Sequence, residues 1–134
     1  MSTAEQILMD KGPDVLIISP KASVLDAAIL MKQSNVGGLI IKEDAEILGI
    51  LTERDLLRRV VAAKKDPANT LVEEVMTKDI ISCRLDNKTE DLQKMMSKLH
   101  IRHVPVVEDG ALIGIISLRD VLAKRISEFS DEKK

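Results

Sequence analysis

The chain has 134 residues and a formal net charge of −2, with 45% hydrophobic and 31% charged residues. This balance is typical of a globular protein with one compact domain or two very small ones, and it excludes a disordered or fibrous chain. Trp and Tyr are absent and Phe occurs once. The chain therefore lacks the aromatic platform and the positive field with which proteins bind nucleic acids, and we expect no nucleic-acid partner.

The cysteine content and the lengths of the apolar runs set the expected compartment. Cys83 is the single cysteine, so a disulfide framework of the secreted type is excluded. No apolar run approaches the roughly 18 residues of a membrane span, and the N-terminus has no signal-peptide pattern. We expect a soluble cytoplasmic protein with no membrane partner, no metal and no resident cofactor.

The first half of the sequence reads as strand, helix, two strands and helix. Val15–Ile18 is a short apolar run that predicts a strand. Ser23 has the chemistry of a helix N-cap, and apolar residues follow it at helical spacing. This stripe consists of Val24, Ala27, Ala28 and Met31. Residues 38–41 and 48–51 predict two strands joined by turn residues at 43–46, and a closing helix is predicted near residues 53–63.

The second half repeats this order after a polar segment at residues 64–69, which contains Pro67 and which we interpret as a linker. A strand is predicted at Ile80–Cys83. The apolar stripe of the following helix consists of Leu92, Met95, Met96 and Leu99. Strands are predicted at 104–107 and 113–116, and a final helix near 118–129. We expect that helix to bury Leu118, Leu122 and Ile126.

The two halves are copies of one βαββα unit of roughly 60 residues. The segment Gly49–Leu56 maps onto Gly114–Val121 at an offset of 65, and five of the eight positions are identical or Thr/Ser pairs. A unit of this size buries too little apolar surface to be stable alone. We therefore predict an α/β fold, or α+β in some schemes, in which both repeats pack with pseudo-twofold symmetry as one compact module. The predicted boundaries are 1–63 for repeat 1 with an N-terminal extension, 64–69 for the linker, 70–129 for repeat 2 and 130–134 for a charged tail.

Each repeat carries a Thr/Ser-x-x-Asp element where its last strand ends and its last helix begins. Free N–H groups and the positive end of a helix dipole point toward this position, which favours phosphate. An ionised Asp55 or Asp120 can accept two hydrogen bonds from a ribose diol. The same spacing also fits a capping box, which needs no ligand. Both roles are compatible, because a cap leaves some N–H groups free.

These repeated motifs, with Val75-Met76-Thr77 and His103-Val104-Pro105-Val106-Val107, resemble tandem CBS domains, named after cystathionine beta-synthase. The resemblance covers nearly the whole chain and implies a stand-alone CBS pair that binds a ligand in the cleft between its repeats. In such pairs the Asp holds ribose, the Thr or Ser lies nearby, and the base enters the cleft. The resemblance implies a main site formed by Leu16, Val36, Gly37, Arg102, His103, Ile115, Ser117, Arg119 and Asp120. It implies a second site formed by Gly38, Ile50, Thr52, Arg54, Asp55, Ile81 and Ile101.

The two implied sites differ in charge. Arg102-His103 of the second copy corresponds to Gly37-Gly38 of the first, so we expect the second site to bind phosphate weakly, to prefer a nucleoside-like ligand or to stay empty. The predicted function is a non-catalytic regulatory module that binds AMP, ADP, ATP or S-adenosylmethionine to sense energy or metabolite state. The alternative is a dimerisation or docking module with vestigial pockets. The expected partners are an adenine nucleotide, a second copy in a homodimer, and an unidentified regulated protein.

Overall fold

The computed structural model describes residues 2–12 and 15–132. The residues outside this description are Met1, Pro13, Asp14, Lys133 and Lys134. The chain divides into two compact units. The continuous unit is Val15–Ile80, and the discontinuous unit combines Met1–Asp14 with Ile81–Lys134. The described chain mixes helices with two small sheets, which confirms the predicted fold class.

Helices and strands follow one another in both units. In chain order they are α1 (Ala4–Lys11), β1 (Ile17–Ile18), α2 (Val24–Ser34), β2 (Gly38–Glu43), β3 (Glu46–Thr52), α3 (Glu53–Asp55), a π-helix (Leu56–Val61), a 3-10 helix (Pro67–Asn69), α4 (Val72–Val75), α5 (Thr89–Leu99), β4 (His103–Glu108), β5 (Ala111–Ser117) and α6 (Leu118–Glu132). Of the predicted charged tail, residues 130–132 continue α6.

Each unit contains an antiparallel hairpin, and the two hairpins match in detail. β2 pairs with β3 and β4 pairs with β5, and the register shifts after Ile41 in one hairpin and after Val106 in the other. These two bulges lie 65 residues apart, which is the offset of the sequence repeat. At the turns, Asp44 and Asp109 both have positive φ, as the predicted turn chemistry requires.

The strands predicted before the first helix of each repeat are largely wrong. Of Val15–Ile18, only Ile17 and Ile18 form a strand, which is parallel to β2. Ile80–Cys83 forms no strand, and Cys83 alone makes a parallel bridge to Val106. Beyond Cys83, the amides of Arg84 and Leu85 donate to side-chain oxygens of Asn87 and Glu108, respectively, instead of to a neighbouring strand. The apolar residues of Ile80–Cys83 are of types that favour strands, but this segment does not extend the sheet.

The two long internal helices, α2 and α5, were predicted, and most of their buried residues lie on the predicted stripes. Ser23 caps α2 by accepting a hydrogen bond from the Asp26 amide at 3.0 Å. Val24, Ala27 and Met31 are buried, as the apolar spacing predicted. In α5, Leu92 and Met96 of the predicted stripe are buried, but Leu99 is 42% exposed, so its predicted place on the buried face is wrong.

The closing helices differ from the prediction. The helix predicted near 53–63 consists of α3 and a six-residue π-helix, and it ends at Val61. In α6, Val121 is fully buried, whereas Leu122 and Ile126 are 39% and 67% exposed. The predicted buried face of α6 is therefore wrong beyond Leu118. The apolar residues of α6 lie on two faces of the helix. The face that contains Val121 is buried, and the face that contains Leu122 and Ile126 is exposed.

Each repeat is preceded in sequence by a short helix. That helix packs in the unit that contains the hairpin of the other repeat. The helix α4 follows the predicted linker, yet it belongs to the continuous unit, where the Val72 amide donates to the Ala22 carbonyl. The equivalent helix α1, which the sequence did not predict, belongs to the discontinuous unit, where the Ala4 amide donates to the Asn87 carbonyl. The predicted linker therefore lies within the continuous unit, and it includes the 3-10 helix Pro67–Asn69.

The apolar core consists of two clusters, one in each unit. The helices α1 and α4, termed the exchanged helices, contribute to both clusters: Ile7 and Leu8 lie in one, and Val72 and Val75 lie in the other. Within the described ranges, no helix is both long enough and apolar enough to cross a membrane.

Candidate functional site

The β5–α6 junction of the discontinuous unit holds the Ser117-x-x-Asp120 motif. Ser117 ends β5, and its amide donates to Asp120 Oδ2 at 2.8 Å. In return, the Asp120 amide donates to Ser117 Oγ at 3.1 Å. The capping-box interpretation is thus confirmed for this copy. The cap fixes the carboxylate at the start of a 15-residue helix, where the helix dipole is positive.

Three of the predicted site residues project from one face of the β4–β5 hairpin. His103 is paired directly with Ser117 across the two strands, and side chains of directly opposed residues lie on the same face. Ile115 precedes Ser117 by two positions, so it shares that face as well. Arg102 is exposed, and its carbonyl accepts a hydrogen bond of 2.8 Å from the Leu118 amide at the first residue of α6. The hairpin therefore brings these four residues to one end of the unit.

Lys11, from the end of α1, contacts this motif directly. Its ammonium group lies 2.8 Å from Asp120 Oδ2 and donates to the Ile115 carbonyl at 3.0 Å. Burial acts to raise the pKa of Asp120, but the hydrogen bond and charge of Lys11 and the bonds from Ser117 outweigh it. The net effect holds the pKa of Asp120 below its usual value. Asp120 is therefore ionised at neutral pH, and an ionised carboxylate accepts hydrogen bonds without donating any.

The β3–α3 junction of the continuous unit is the second copy of the motif, and here the carboxylate is more enclosed. Asp55 Oδ2 accepts from the Thr52 amide at 3.0 Å and from the Thr52 hydroxyl at 3.2 Å. Asp55 Oδ1 accepts from the Thr77 hydroxyl at 3.0 Å, and Arg59 Nε lies 3.8 Å away. Asp55 is only 8% exposed. Both of its oxygens are thus occupied by groups of its own unit.

The two junctions agree in their backbone connections. The Glu53 amide donates to the Gly37 carbonyl, as the Leu118 amide donates to the Arg102 carbonyl. Gly37 therefore holds the structural position of Arg102, and the difference in charge that the sequence showed is a difference between equivalent positions. Gly38 lies opposite Thr52, as His103 lies opposite Ser117.

The remaining predicted residues are divided between the units. Leu16 and Val36 pack against the apolar cluster of the continuous unit, and Gly37 follows Val36 in sequence. Ile50 and the exposed Arg54 belong to that unit too. Ile81, Ile101 and the exposed Arg119 belong to the discontinuous unit. Whether residues of both units share a ligand stays a prediction.

Sequence reasoning missed Lys11 and the role of Thr77, which lie beside the two aspartates. Neither residue follows the 65-residue offset of the repeat, because α1 and α4 are related by 68 residues instead. The Val24 amide donates to the Thr70 carbonyl, and the equivalent Thr89 amide donates to the Ser2 carbonyl. A signal was nevertheless present in the Thr3-x-x-Gln6 pattern, which caps α1. This pattern marks the start of α1, which was not predicted.

Comparison with known proteins decides the family. The CBS domain family model matches residues 4–62 and 72–127, which is most of the chain. The chain belongs to the CBS-domain family. The CBS domain-containing protein YhcV of Bacillus subtilis is 35% identical over 116 residues, which cover 87% of this chain and 82% of that protein. This finding confirms the resemblance on which the tandem CBS prediction rested.

Two further CBS relatives extend the comparison. The hexameric CBS-CP12 protein from bloom-forming cyanobacteria superposes with a TM-score of 0.83 at 32% identity, covering all of this chain and 76% of that one. An inosine-5'-monophosphate dehydrogenase of Methanocaldococcus jannaschii is 33% identical over 84% of this chain, but the match covers only 22% of that enzyme. The similarity to an enzyme is therefore limited to about a fifth of its length.

Proposed function

We propose that this CBS pair is a non-catalytic regulatory module that binds an adenosyl ligand, namely AMP, ADP, ATP or S-adenosylmethionine, at the Ser117/Asp120 motif. The observation that carries the proposal is the capped, ionised Asp120 carboxylate at the start of α6, on the hairpin end that also bears Ser117 and His103. A carboxylate in this position accepts hydrogen bonds from a ribose diol.

The surroundings of Asp120 supply complementary chemistry for the rest of such a ligand. Arg102 and Arg119 are exposed cations near the start of α6, and they would contact phosphate together with His103. The half-buried Ile115 offers an apolar surface for the base. A nucleotide would thus find a diol acceptor, cations and an apolar wall close together. Such a ligand would report the energy or metabolite state of the cell.

The Thr52/Asp55 motif is proposed as the weaker site. Its carboxylate is already bonded through both oxygens, and it is far less exposed than an open acceptor would be. The helical segment behind it, residues 53–61, is shorter than the 15-residue α6. With glycines in place of Arg102 and His103, this site would bind a nucleoside better than a nucleotide.

A non-catalytic role is favoured by the chemistry of the motif itself. Its carboxylate is stabilised in the ionised form and held by a cap, which suits binding rather than proton transfer near neutral pH. The enzyme relative matches over the CBS segment alone, so its activity is not extended to this chain. The cytoplasmic location and the regulated protein stay predictions from the sequence.

A second candidate function, self-association as a homodimer, is favoured by the surface of α6. Leu122, Ile126 and Phe129 recur at i, i+4 and i+7, and all three are exposed, by 39%, 67% and 58%. Such a stripe is typical of a helix that packs against another chain. The cyanobacterial CBS-CP12 relative is hexameric. Sedimentation of the wild type and of Ile126→Glu tests this candidate, because the glutamate would dissociate a dimer that uses the stripe.

Isothermal titration calorimetry with AMP, ADP, ATP, S-adenosylmethionine and adenosine tests the main proposal. We expect at least one of the four adenosyl ligands to bind with a Kd well below about 1 mM. Adenosine should bind more weakly than AMP, because it lacks the phosphate for Arg102. Absence of binding by all five ligands up to that concentration would leave the self-association role as the better account.

A further inference from the structure

The ammonium group of Lys11 occupies polar positions that the proposed ligand would need. Lys11 bonds to Asp120 Oδ2 and to the Ile115 carbonyl, both of which belong to predicted site residues. Asp120 Oδ2 also accepts the Ser117 amide. A carboxylate oxygen has two lone pairs, so this oxygen holds a full set of donors. A diol that used both carboxylate oxygens would have to take the position of Lys11.

We propose that Lys11 is a specificity-determining residue: an internal cation that competes with ribose for Asp120 and makes the site select phosphorylated ligands over adenosine. This inference rests on the proposed function. A neutral nucleoside that displaces Lys11 breaks its ion pair with Asp120 and supplies no anion in exchange. A nucleotide supplies a phosphate with which the released ammonium can pair. The cost of displacement is therefore offset only for an anionic ligand.

The Lys11–Asp120 ion pair is strong enough to compete with ribose and weak enough for a ligand to displace it. Its geometry is that of a good charge-assisted hydrogen bond, at 2.8 Å. The side chains of Lys11 and Asp120 are 33% and 22% exposed, so solvent screens the pair. Lys11 also borders a cavity of about 230 Å³ between α1 and α6, lined partly by Ile7, Ala123 and Ser127. This cavity gives the lysine side chain room to turn without a shift of the helix.

The continuous unit provides an internal contrast. At Asp55 the partner contributed by the segment after α4 is the hydroxyl of Thr77, which is neutral. A hydroxyl cannot pair with phosphate as a cation does. The cation nearest to Asp55 is Arg59, which lies 3.8 Å from Oδ1 and also donates to the Val75 and Met76 carbonyls. The two copies thus differ in how the cation beside the aspartate is held, in addition to the difference between Arg102 and Gly37. Both differences favour phosphate at the discontinuous unit.

The test compares the ratio of AMP to adenosine affinity in the wild type, Lys11→Met and Lys11→Arg. Methionine preserves the length of the side chain and removes its charge, and arginine preserves the charge. We expect Lys11→Met to bind adenosine about two- to fivefold more tightly, as loss of one partly exposed ion pair allows. The AMP-to-adenosine ratio should fall by about fivefold or more, and Lys11→Arg should keep the ratio close to that of the wild type.

Other outcomes separate this inference from the proposed function. If the wild type binds AMP through Asp120 but the ratio is unchanged in Lys11→Met, the role of Lys11 is refuted and the nucleotide site stands. If neither protein binds AMP, ADP, ATP, S-adenosylmethionine or adenosine, both are refuted. A readout that does not depend on the variant folding is the NMR signal of the Lys11 side chain in the wild type. It should shift when adenosine is added at saturating concentration, and an unshifted signal would overturn the inference.

Discussion

Gly49 lies so close to Thr77 that a Cβ atom added to the glycine would stand 2.7 Å from the Thr77 carbonyl oxygen. The equivalent Gly114 lies against Leu8, where an added Cβ would stand 2.8 Å from Leu8 Cδ2. The glycine of each repeated motif therefore allows a close contact with the last strand of its hairpin. At Gly114 the contact comes from Leu8 of α1, and at Gly49 it comes from the segment after α4. The first position of the repeated motif thus has a packing role in both units.

These contacts predict unequal costs for the two alanine substitutions. Gly49→Ala meets a backbone carbonyl, which cannot move without the segment that follows α4, whereas Gly114→Ala meets the end of a flexible leucine side chain. We expect Gly49→Ala to lower the free energy of unfolding by about 1–3 kcal/mol and Gly114→Ala to lower it less. Urea unfolding of the two variants checks this order, and equal or reversed costs would contradict the packing account.

Much of the fold followed from the sequence because local signals repeated in both halves. The Ser23 cap, the α2 stripe and the turn residues Asp44 and Asp109 depend on neighbours in sequence, and the structure has them as predicted. The face that α6 buries depends on long-range packing, so the apolar spacing of Leu122 and Ile126 could not reveal it.

The candidate site shows the same division. The capping bonds within Ser117–Asp120 follow from a spacing of three residues, so the sequence could predict them. The contact of Lys11 with Asp120 joins residues 109 apart. It exists because the N-terminal helix packs with the second repeat, an exchange that no local pattern encodes.

Acid should weaken the contribution of the Lys11–Asp120 pair to stability. The pKa of Asp120 is lowered in the folded state, so its contribution is present above the unfolded pKa of about 4 and is lost as the pH falls through the folded pKa. We expect wild type to be more stable than Lys11→Met near pH 7, and the gap to shrink toward about pH 2. Urea midpoints across this range measure the gap, and a gap independent of pH would argue against the pair.

The thiol of Cys83 should be unreactive in the folded protein. Burial raises its pKa to about 12, and the charge of Glu108 adds to the effect. Because the thiolate is the reactive form, a thiol reagent at neutral pH should modify the native chain far more slowly than the urea-unfolded chain. The ratio of the two rates measures this protection, and rapid modification of native protein would show that Cys83 is accessible.

Arg102→Ala separates phosphate contacts from nucleoside contacts. Arg102 is exposed beside the start of α6, where it would meet phosphate rather than ribose. We expect the variant to lose affinity for ATP and AMP by about tenfold or more, as loss of a charge-assisted hydrogen bond implies, and to retain its affinity for adenosine. An equal loss for adenosine would mean that Arg102 supports the site as a whole.

The nucleotide affinity of Asp120→Ala, compared with that of Asp55→Ala, tests the central claim most directly. Loss of hydrogen bonds to a charged acceptor costs about 1.5–3 kcal/mol, so AMP should bind Asp120→Ala roughly 10- to 150-fold more weakly than wild type. Asp55→Ala should retain most of the wild-type affinity, provided that a thermal melt shows it folded. Unchanged AMP affinity in Asp120→Ala, or a loss confined to Asp55→Ala, would contradict the assignment of the nucleotide to the Ser117/Asp120 motif.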